Sequence, residues 1–446
     1  MVLNVGDYFH SVRLIENRCK GCVICAKRCP TEAIRIRRGR SQIIEARCID
    51  CGECIRRCPA HAKTAVTDSL DDLIQYKYNI ALPAPTLYAQ FSADIRIDNI
   101  LAALMELGFH DVFEVAKGAE IVSLAIKDYL KRSDIRYPVI SSACPAAVRL
   151  IQVKFPELID NLVPIDSPVE VAARVARAKA SRRLGLSPDE IGTWFISPCP
   201  AKMTAAKQPL GSEKSNISGA IGISQVYAPL LKALQDIPAG VERRHASWVG
   251  VNWAVSGGES AAVGSENQLI VHEINNVSDI LEQVALGKLS GVKYIETLAC
   301  AGGCIGGPLT VQNRFVAEFN MKKRAQNMQA EDAAKGRVPL QEYRESALGV
   351  SERRAIEPRP ILRLDEDIFK AMYKVEAMEK MLKQLPGLDC GSCGSPNCKA
   401  LAEDIAQEKA SVTDCVFKLR ERVSELAKEM MDLAEKLPPS LDKEQS

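Results

Sequence analysis

The sequence has no uninterrupted apolar run of the ~18 residues that read as a membrane-crossing helix, so no helical span is expected. Its first residues, MVLNVGDYFHSVRLIENRCKGC, lack the apolar core of a secretory leader. Nor is there a dominant charge: 58 Lys and Arg stand against 56 Asp and Glu, a formal net charge of +2. No overall basic field points to nucleic acid. The short basic run Arg35, Arg37, Arg38 and Arg40 reads as a solvated strand or turn face. A content of 47% hydrophobic and 26% charged residues is ordinary for a soluble globular chain. The 446 residues are enough for about two to four domains, and the expected compartment is the cytoplasm.

What the sequence does have is cysteine. Sixteen occur, grouped along the chain as eight, four and four. A chain this long builds its core without disulfides. In a reducing compartment, clustered cysteines more often bind metal. The grouping suggests four sites of four ligands each, with none left over.

Residues 19–30, CKGCVICAKRCP, repeat at 48–59 as CIDCGECIRRCP, an offset of 29 residues. Each copy is C-x2-C-x2-C-x3-C-P and resembles the bacterial ferredoxin signature, in which the fourth cysteine ligates the other cluster. The resemblance implies one [4Fe-4S] cluster on Cys19, Cys22, Cys25 and Cys58. A second would sit on Cys48, Cys51, Cys54 and Cys29. A double zinc site is the alternative, but zinc motifs rarely carry this spacing twice. Pro30 and Pro59 end the ligand loops.

From residue 80 the pattern changes. NIALPAPTLYAQF reads as a buried strand and a turn; NILAALMELGFHDVFEVA reads as an amphipathic helix, a stop at Gly108 and a strand. YPVISSACPAAVRLIQ, GTWFISPCPAKMTA and GVKYIETLACAGGC each read as a strand followed by a loop. Alternating strands and helices predict an α/β fold with parallel sheets. Cys144, Cys199 and Cys300 each fall just after a strand, where such folds bind ligands, so three loops converge on one site. Near residue 352 a charged, proline-containing linker begins, and a helix follows it. Cys390, Cys393, Cys398 and Cys415 then form C-x2-C-x4-C-x16-C. In the last segment Leu419, Val423, Leu426, Met430, Leu433 and Leu437 alternate spacings of four and three, a heptad seam. It predicts a homodimer through the C-terminal helix, or burial against the preceding helix.

The loops SSACP, SPCPAK and ETLACAGGCIGG resemble the three signatures of [FeFe]-hydrogenases, TSCCP, MPC-x2-K and E-x-MAC-x-GGC-x2-GG. The resemblance covers roughly residues 1–350. It implies two lobes of parallel sheet flanked by helices, with the site between them. It implies a cubane on Cys144, Cys199, Cys300 and Cys304, with Cys304 bridging to a two-iron unit carrying CO, cyanide and an azadithiolate, the H-cluster. Lys202 matches the lysine that bonds a cyanide. Ser142, Pro198 and Ala299 match pocket-lining positions, and Gly302, Gly303, Gly306 and Gly307 would let the backbone close around the two-iron unit.

The sequence also departs from that family. Ala143 stands where the proton-carrying first cysteine of TSCCP belongs, and Ser197 and Leu298 replace the two signature methionines. The relay glutamates fall at Ile126 and Tyr129 and the relay serine at Val163. Glu259 and Glu170 are candidates for another route, though each reads first as a surface or structural carboxylate. Such departures, with a C-terminal four-cysteine module resembling that of corrinoid iron–sulfur proteins, resemble the sensory branches of the family. The C-terminal cysteines would hold one further [4Fe-4S] cluster.

The expected plan is a ferredoxin-like domain at 1–79, an H-cluster domain at 80–351, a linker and helix at 352–385, a C-terminal [4Fe-4S] module at 386–416, and a heptad helix and tail at 417–446. The expected function is slow interconversion of dihydrogen with protons and electrons, used to sense dihydrogen or redox state. With no PAS-like or kinase segment, the signal would pass to a separate redox or signalling protein. The alternatives are a working hydrogenase subunit with another proton path, and a cubane-only homologue in electron transfer or iron–sulfur assembly.

Overall fold

A computed structural model describes residues 8–238, 240–334, 354–359, 364–365 and 367–436. The strands are β1 (Val12–Leu14), β2 (Ile34–Arg37), β3 (Arg40–Ile43), β4 (Lys63–Ala65), β5 (Tyr78–Pro83), β6 (Asp111–Val112), β7 (Val139–Ile140), β8 (Ile191–Ser197), β9 (Gly219–Gly222), β10 (Gln268–His272) and β11 (Tyr294–Leu298). The chain falls into two compact units. One is Met1–Asn17 with Glu45–Ile361; the other is Arg18–Ile44 with Leu362–Ser446.

The larger unit carries two parallel sheets, ordered β6-β5-β8-β9 and β10-β11-β7. β8, IGTWFIS, is buried at every position, and β5 at all but its first. Strands covered on both faces read as nearly continuous apolar runs rather than alternating ones. That is why NIALP and GTWFI are legible as strands. Helices follow β5, β7 and β8, beginning at Pro85, Pro145 and Pro200. Proline is tolerated in a helix's first turn because its missing N–H would be unpaired there anyway. Gly108 has φ +98°, a conformation that stops the preceding helix before β6. An antiparallel pair, β1–β4, and the helix Glu53–Arg57 complete this unit's share of the cysteine repeat.

The smaller unit joins the first half of the repeat to the C-terminal module, so the compact units cut across the linear plan. The physical reason is the hairpin β2–β3. Arg35 Nε and Arg37 Nη2 each donate to Asp404 Oδ2 at 2.6 Å. Arg35 is 4% exposed. Arg35 and Arg37 are therefore not a solvated face, whereas Arg38 and Arg40 are exposed. In the C-terminal module the helix Ile368–Gln384 packs through Met378, Met381 and Leu382 around Leu385, Leu401 and Ala402. The helix Val416–Glu435 has no buried residue.

Candidate metal centre and cavity

Four thiols meet at strand ends in the larger unit. Cys144 and Cys199 are the N-cap residues of the helices Pro145–Lys154 and Pro200–Lys207. Cys300 lies two residues beyond β11, and Cys304 opens the short turn Cys304–Gly306. All four line one cavity. Helix N-termini favour negative charge, so two of the four thiolates sit where the backbone helps to hold an anionic group.

Burial and the neighbouring thiolates push the Cys199 thiol up to about 12. Burial also raises Cys304 well above the usual thiol range, with Cys300, Cys144 and Cys199 adding to it. Four clustered thiols that repel one another as anions are a poor arrangement by themselves. They fit a cationic iron–sulfur core, whose charge would offset the lost hydration and whose iron suits soft thiolate donors.

The other expected site residues divide. Pro198, Leu298, Ala299 and Gly303 line the cavity with Ala143 and Lys202. Lys202 Nζ donates to the Ala143 carbonyl at 2.9 Å, and the residue also lines a smaller neighbouring cavity. Ser142 lines that smaller cavity rather than the main one, and its hydroxyl donates to the Ile165 carbonyl at 3.1 Å. Ser197 is fully buried and lines neither. Its hydroxyl accepts from Cys199 N–H at 3.1 Å and so turns the Cys199 loop.

The glycines first serve the chain itself. Gly303 has φ +96°, and a side-chain carbon there would lie 2.7 Å from the Ala254 carbonyl oxygen. At Gly306 and Gly307 such a carbon would come within 2.2 Å of Ala301 O and 2.4 Å of Pro198 O. Three backbone segments therefore close on one another here, and this presents the thiols of Cys300 and Cys304 to the cavity.

Two contributors were not singled out from sequence. Arg56, from the second ligand loop, donates to the Gly306 carbonyl at 3.0 Å and ion-pairs with Glu53. Burial lowers its pKa, but the charges of Cys300 and Glu53 outweigh that and hold it firmly charged. A fixed cation thus stands beside the anionic thiol set. Tyr294 is the other, and it belongs to Glu259. That carboxyl group lines the cavity at 2% exposure, accepting from Ser141 Oγ at 2.8 Å and Tyr294 Oη at 2.6 Å. Burial and the nearby charge of Glu296 push Glu259 up to about 8. Glu296 accepts from the Gly257 and Ser260 N–H groups and is the readier of the two to ionise. Glu259 is accordingly not on the surface. Glu170 is structural, accepting from Ser215 Oγ and from Asn216.

The positions read as a replaced relay lie together. Ile126 and Val163 belong to one apolar cluster, and Tyr129 and Ala143 pack against it. The twofold cysteine repeat also recurs in space: Ala33 N–H donates to Cys29 Sγ and Ala62 N–H to Cys58 Sγ, both at 3.2 Å. In the C-terminal module Cys390, Cys393, Cys398 and Cys415 line one small cavity. An all-thiolate set of this kind fits iron–sulfur or zinc.

Strand-end thiols around one pocket, in a chain that also carries two ferredoxin-type ligand loops, fit an iron–sulfur protein of the α/β class. Residues 77–264 and 252–308 match the family model for the iron only hydrogenase large subunit, C-terminal domain. That match spans more than half of the chain, and the protein belongs to the [FeFe]-hydrogenase family. Residues 11–59 match the 4Fe-4S dicluster domain, and 385–417 match the iron–sulfur family model FeS. The chain is 24% identical over 330 residues to the NADP-reducing hydrogenase subunit HndD of Solidesulfovibrio fructosivorans, covering 60% of this chain and 55% of that protein. It is 27% identical over 364 residues to the periplasmic [Fe] hydrogenase large subunit of Nitratidesulfovibrio vulgaris Hildenborough, covering 68% and 86%. A stretch of 55 residues is 42% identical to the corrinoid/iron-sulfur protein large subunit of Moorella thermoacetica, covering 12% and 11%. The chain thus spans about half the length of the first of these relatives. No helix among the described residues is long and apolar enough to cross a membrane.

Proposed function

We propose that this chain interconverts dihydrogen with protons and electrons at an H-cluster held in the cavity lined by the four thiols. The observation that carries this reading is convergence: four thiols, one lysine ammonium and one proton-holding carboxyl group face the same space. Cys144, Cys199, Cys300 and Cys304 would hold the cubane, and Cys304 would bridge to the two-iron unit. That group, when bound, supplies the metal chemistry of dihydrogen. Lys202 supplies a fixed donor inside the cavity. Glu259 supplies the proton-holding group, and Ser141 Oγ, which accepts from Ala143 N–H at 3.3 Å, links it to the position of the missing thiol. The two repeat loops and the C-terminal module would each hold [4Fe-4S] clusters, the former as sequence spacing pairs them, and would exchange electrons with a ferredoxin-type redox partner in a reducing compartment such as the cytoplasm.

Two specific observations bear on rate. The apolar packing of Ala143 with Ile126, Tyr129 and Val163, the positions read as the replaced relay, supports slow turnover and a sensing role. Glu259 supports the other reading, a working enzyme with its own route. Dihydrogen uptake by the maturated protein divides them. Infrared bands of CO and cyanide on the same sample test the whole proposal, since a cubane-only homologue would lack them.

Iron analysis with Mössbauer spectroscopy should find four cubanes and one two-iron unit, about 18 irons per chain. Zinc at the C-terminal cysteines would lower that count. Replacing Ala143 with cysteine should raise turnover by less than the ~10² that a connected acid–base group contributes if proton delivery depends on the relay positions, because Ile126 and Val163 carry no proton. A larger gain would mean that the new thiol is fed by another route, Glu259 through Ser141 being the one at hand.

The homodimer is part of this reading. On the helix Val416–Glu435, Leu419, Val423, Leu426, Met430 and Leu433 are 45%, 57%, 41%, 71% and 66% exposed, and Leu437 lies outside the described residues. Burying each would contribute at most ~1.5–3 kcal/mol. Truncation after Cys415 should convert a dimer into a monomer in sedimentation; a full chain that is already monomeric at micromolar concentration would refute the dimer.

A further inference from the structure

The smaller unit places the C-terminal cysteine loop directly on the hairpin that supports the first ferredoxin loop. The cross-strand pair Ile36–Ser41 is the pivot. On one strand Ser41 N–H donates to Cys19 Sγ at 3.4 Å, and Cys25 Sγ lies 3.9 Å from Ser41 Oγ. On the other, Ile36 N–H donates to the Gly394 carbonyl at 2.7 Å. Gly394, with φ +81°, lies so close that a side-chain carbon there would sit 2.1 Å from Ile36 O. Arg37 donates to the Cys393 carbonyl at 3.2 Å and to Ser395 Oγ at 3.2 Å. Asn397 Nδ2 donates to Glu32 at 2.6 Å, and a carbon on Gly391 would lie 3.4 Å from Val23 Cβ. Val23 directly follows Cys22, and Gly391 directly follows Cys390.

The Asp404 carboxylate closes this contact. It is 5% exposed and bonds two arginines at once, Arg35 in a paired Nε and Nη2 contact and Arg37 through Nη2. Truncating one partner of such a buried set leaves the others as uncompensated charge, which strongly disfavours the docked arrangement. A module held only by a tether would not carry a buried three-charge lock, a backbone hydrogen bond and a glycine fitted against a carbonyl.

We infer that the C-terminal four-cysteine module is a fixed electron port docked on the first ferredoxin loop, rather than a separately tethered sensory head. The inference rests on the reading that both cysteine sets hold iron–sulfur clusters, not on the dihydrogen chemistry. Cys390 and Cys22 are the exposed thiols of the two loops, so the outer edge of the pair faces solvent. A soluble carrier of the ferredoxin or flavodoxin class would meet this edge. Each exchange there moves one electron, oxidising one partner and reducing the other, with no bond made or broken.

The test uses the full chain carrying its cubanes without the two-iron unit, so the result does not depend on hydrogenase activity. In the fully reduced wild type, EPR should show broadening from spin coupling between the C-terminal cluster and the cluster assigned to Cys19, Cys22, Cys25 and Cys58. The Cys393→Ala/Cys398→Ala variant should lose that broadening. Asp404→Asn, which keeps all sixteen cysteines, should diminish it while Mössbauer spectra still count every cubane. Broadening that is absent in the wild type, or unchanged in the double cysteine variant, would overturn the inference. So would zinc in place of iron at the C-terminal site. Absent CO and cyanide bands in maturated protein would defeat the dihydrogen reading and leave this one standing.

Discussion

Replacing Glu259 with glutamine should lower dihydrogen turnover by about 10²–10⁴-fold, the range contributed by a positioned acid–base group. Glutamine has nearly the same shape, and its amide oxygen can still accept from Ser141 and Tyr294, which hold the carboxyl group in place. What it cannot do is take up and release a proton. The pH dependence follows from the raised pKa of about 8. Below that value Glu259 holds its proton; above it the proton supply beside Ala143 declines, so proton reduction by the wild type should fall as pH passes about 8. The Glu259→Gln variant should show no such inflection.

Stability gives a second readout of the same group. Between the ordinary value of 4.5 and about 8, folded Glu259 keeps a proton that the unfolded chain has released. The folded state then binds more protons, so this group's contribution to stability falls as pH rises through that window. Denaturant midpoints of Glu259→Gln should lose that part of the fall. A variant with wild-type turnover and unchanged pH profiles would place the proton route elsewhere.

The difference between what is legible in this sequence and what is not comes down to range. Cysteine ligand loops are local: C-x2-C-x2-C-x3-C-P and AC-x-GGC fix their geometry within about a dozen residues, and the strand before each thiol announces itself as an apolar run. Cys144, Cys199 and Cys300 accordingly lie at the expected strand ends. Arg35 misleads because its partner, Asp404, lies 369 residues away, and nothing near RIRRGR marks one. Glu259 reads first as a surface or structural carboxylate because nothing near it in sequence marks a buried partner. In the fold it lies on the buried side of the helix Gly258–Val263 and is held by a strand residue 35 positions on. The glycines around Cys304 are legible as a demand for close approach. That the approaching atoms are first the chain's own carbonyls is not written in their spacing.

Lys202→Ala should leave the protein with its cubanes but without a stably held two-iron unit. The side chain reaches from the helix Pro200–Lys207, one turn after Cys199, and its ammonium lines the cavity while bonded to the Ala143 carbonyl. Main-chain contacts hold the loop of Cys300 and Cys304, and the lysine's bond to the Ala143 carbonyl is one of several that fix the Cys144 loop, so the site for the cubane should outlast its loss. Among the described residues, the variant removes the one lysine ammonium facing the cavity. Outer-shell donors of this kind typically contribute ~10–100-fold to metal affinity or activity. After maturation the CO and cyanide infrared bands should therefore weaken by at least about tenfold, with dihydrogen turnover falling in parallel. The EPR of the cubane on Cys144, Cys199, Cys300 and Cys304 should persist. Lys202→Arg separates charge from geometry: it keeps a cation but spreads its donors over a planar fork too wide for a single-point contact. It should retain the bands only in part and shift them. Undiminished and unshifted bands in Lys202→Ala would show that the two-iron unit is held without this residue.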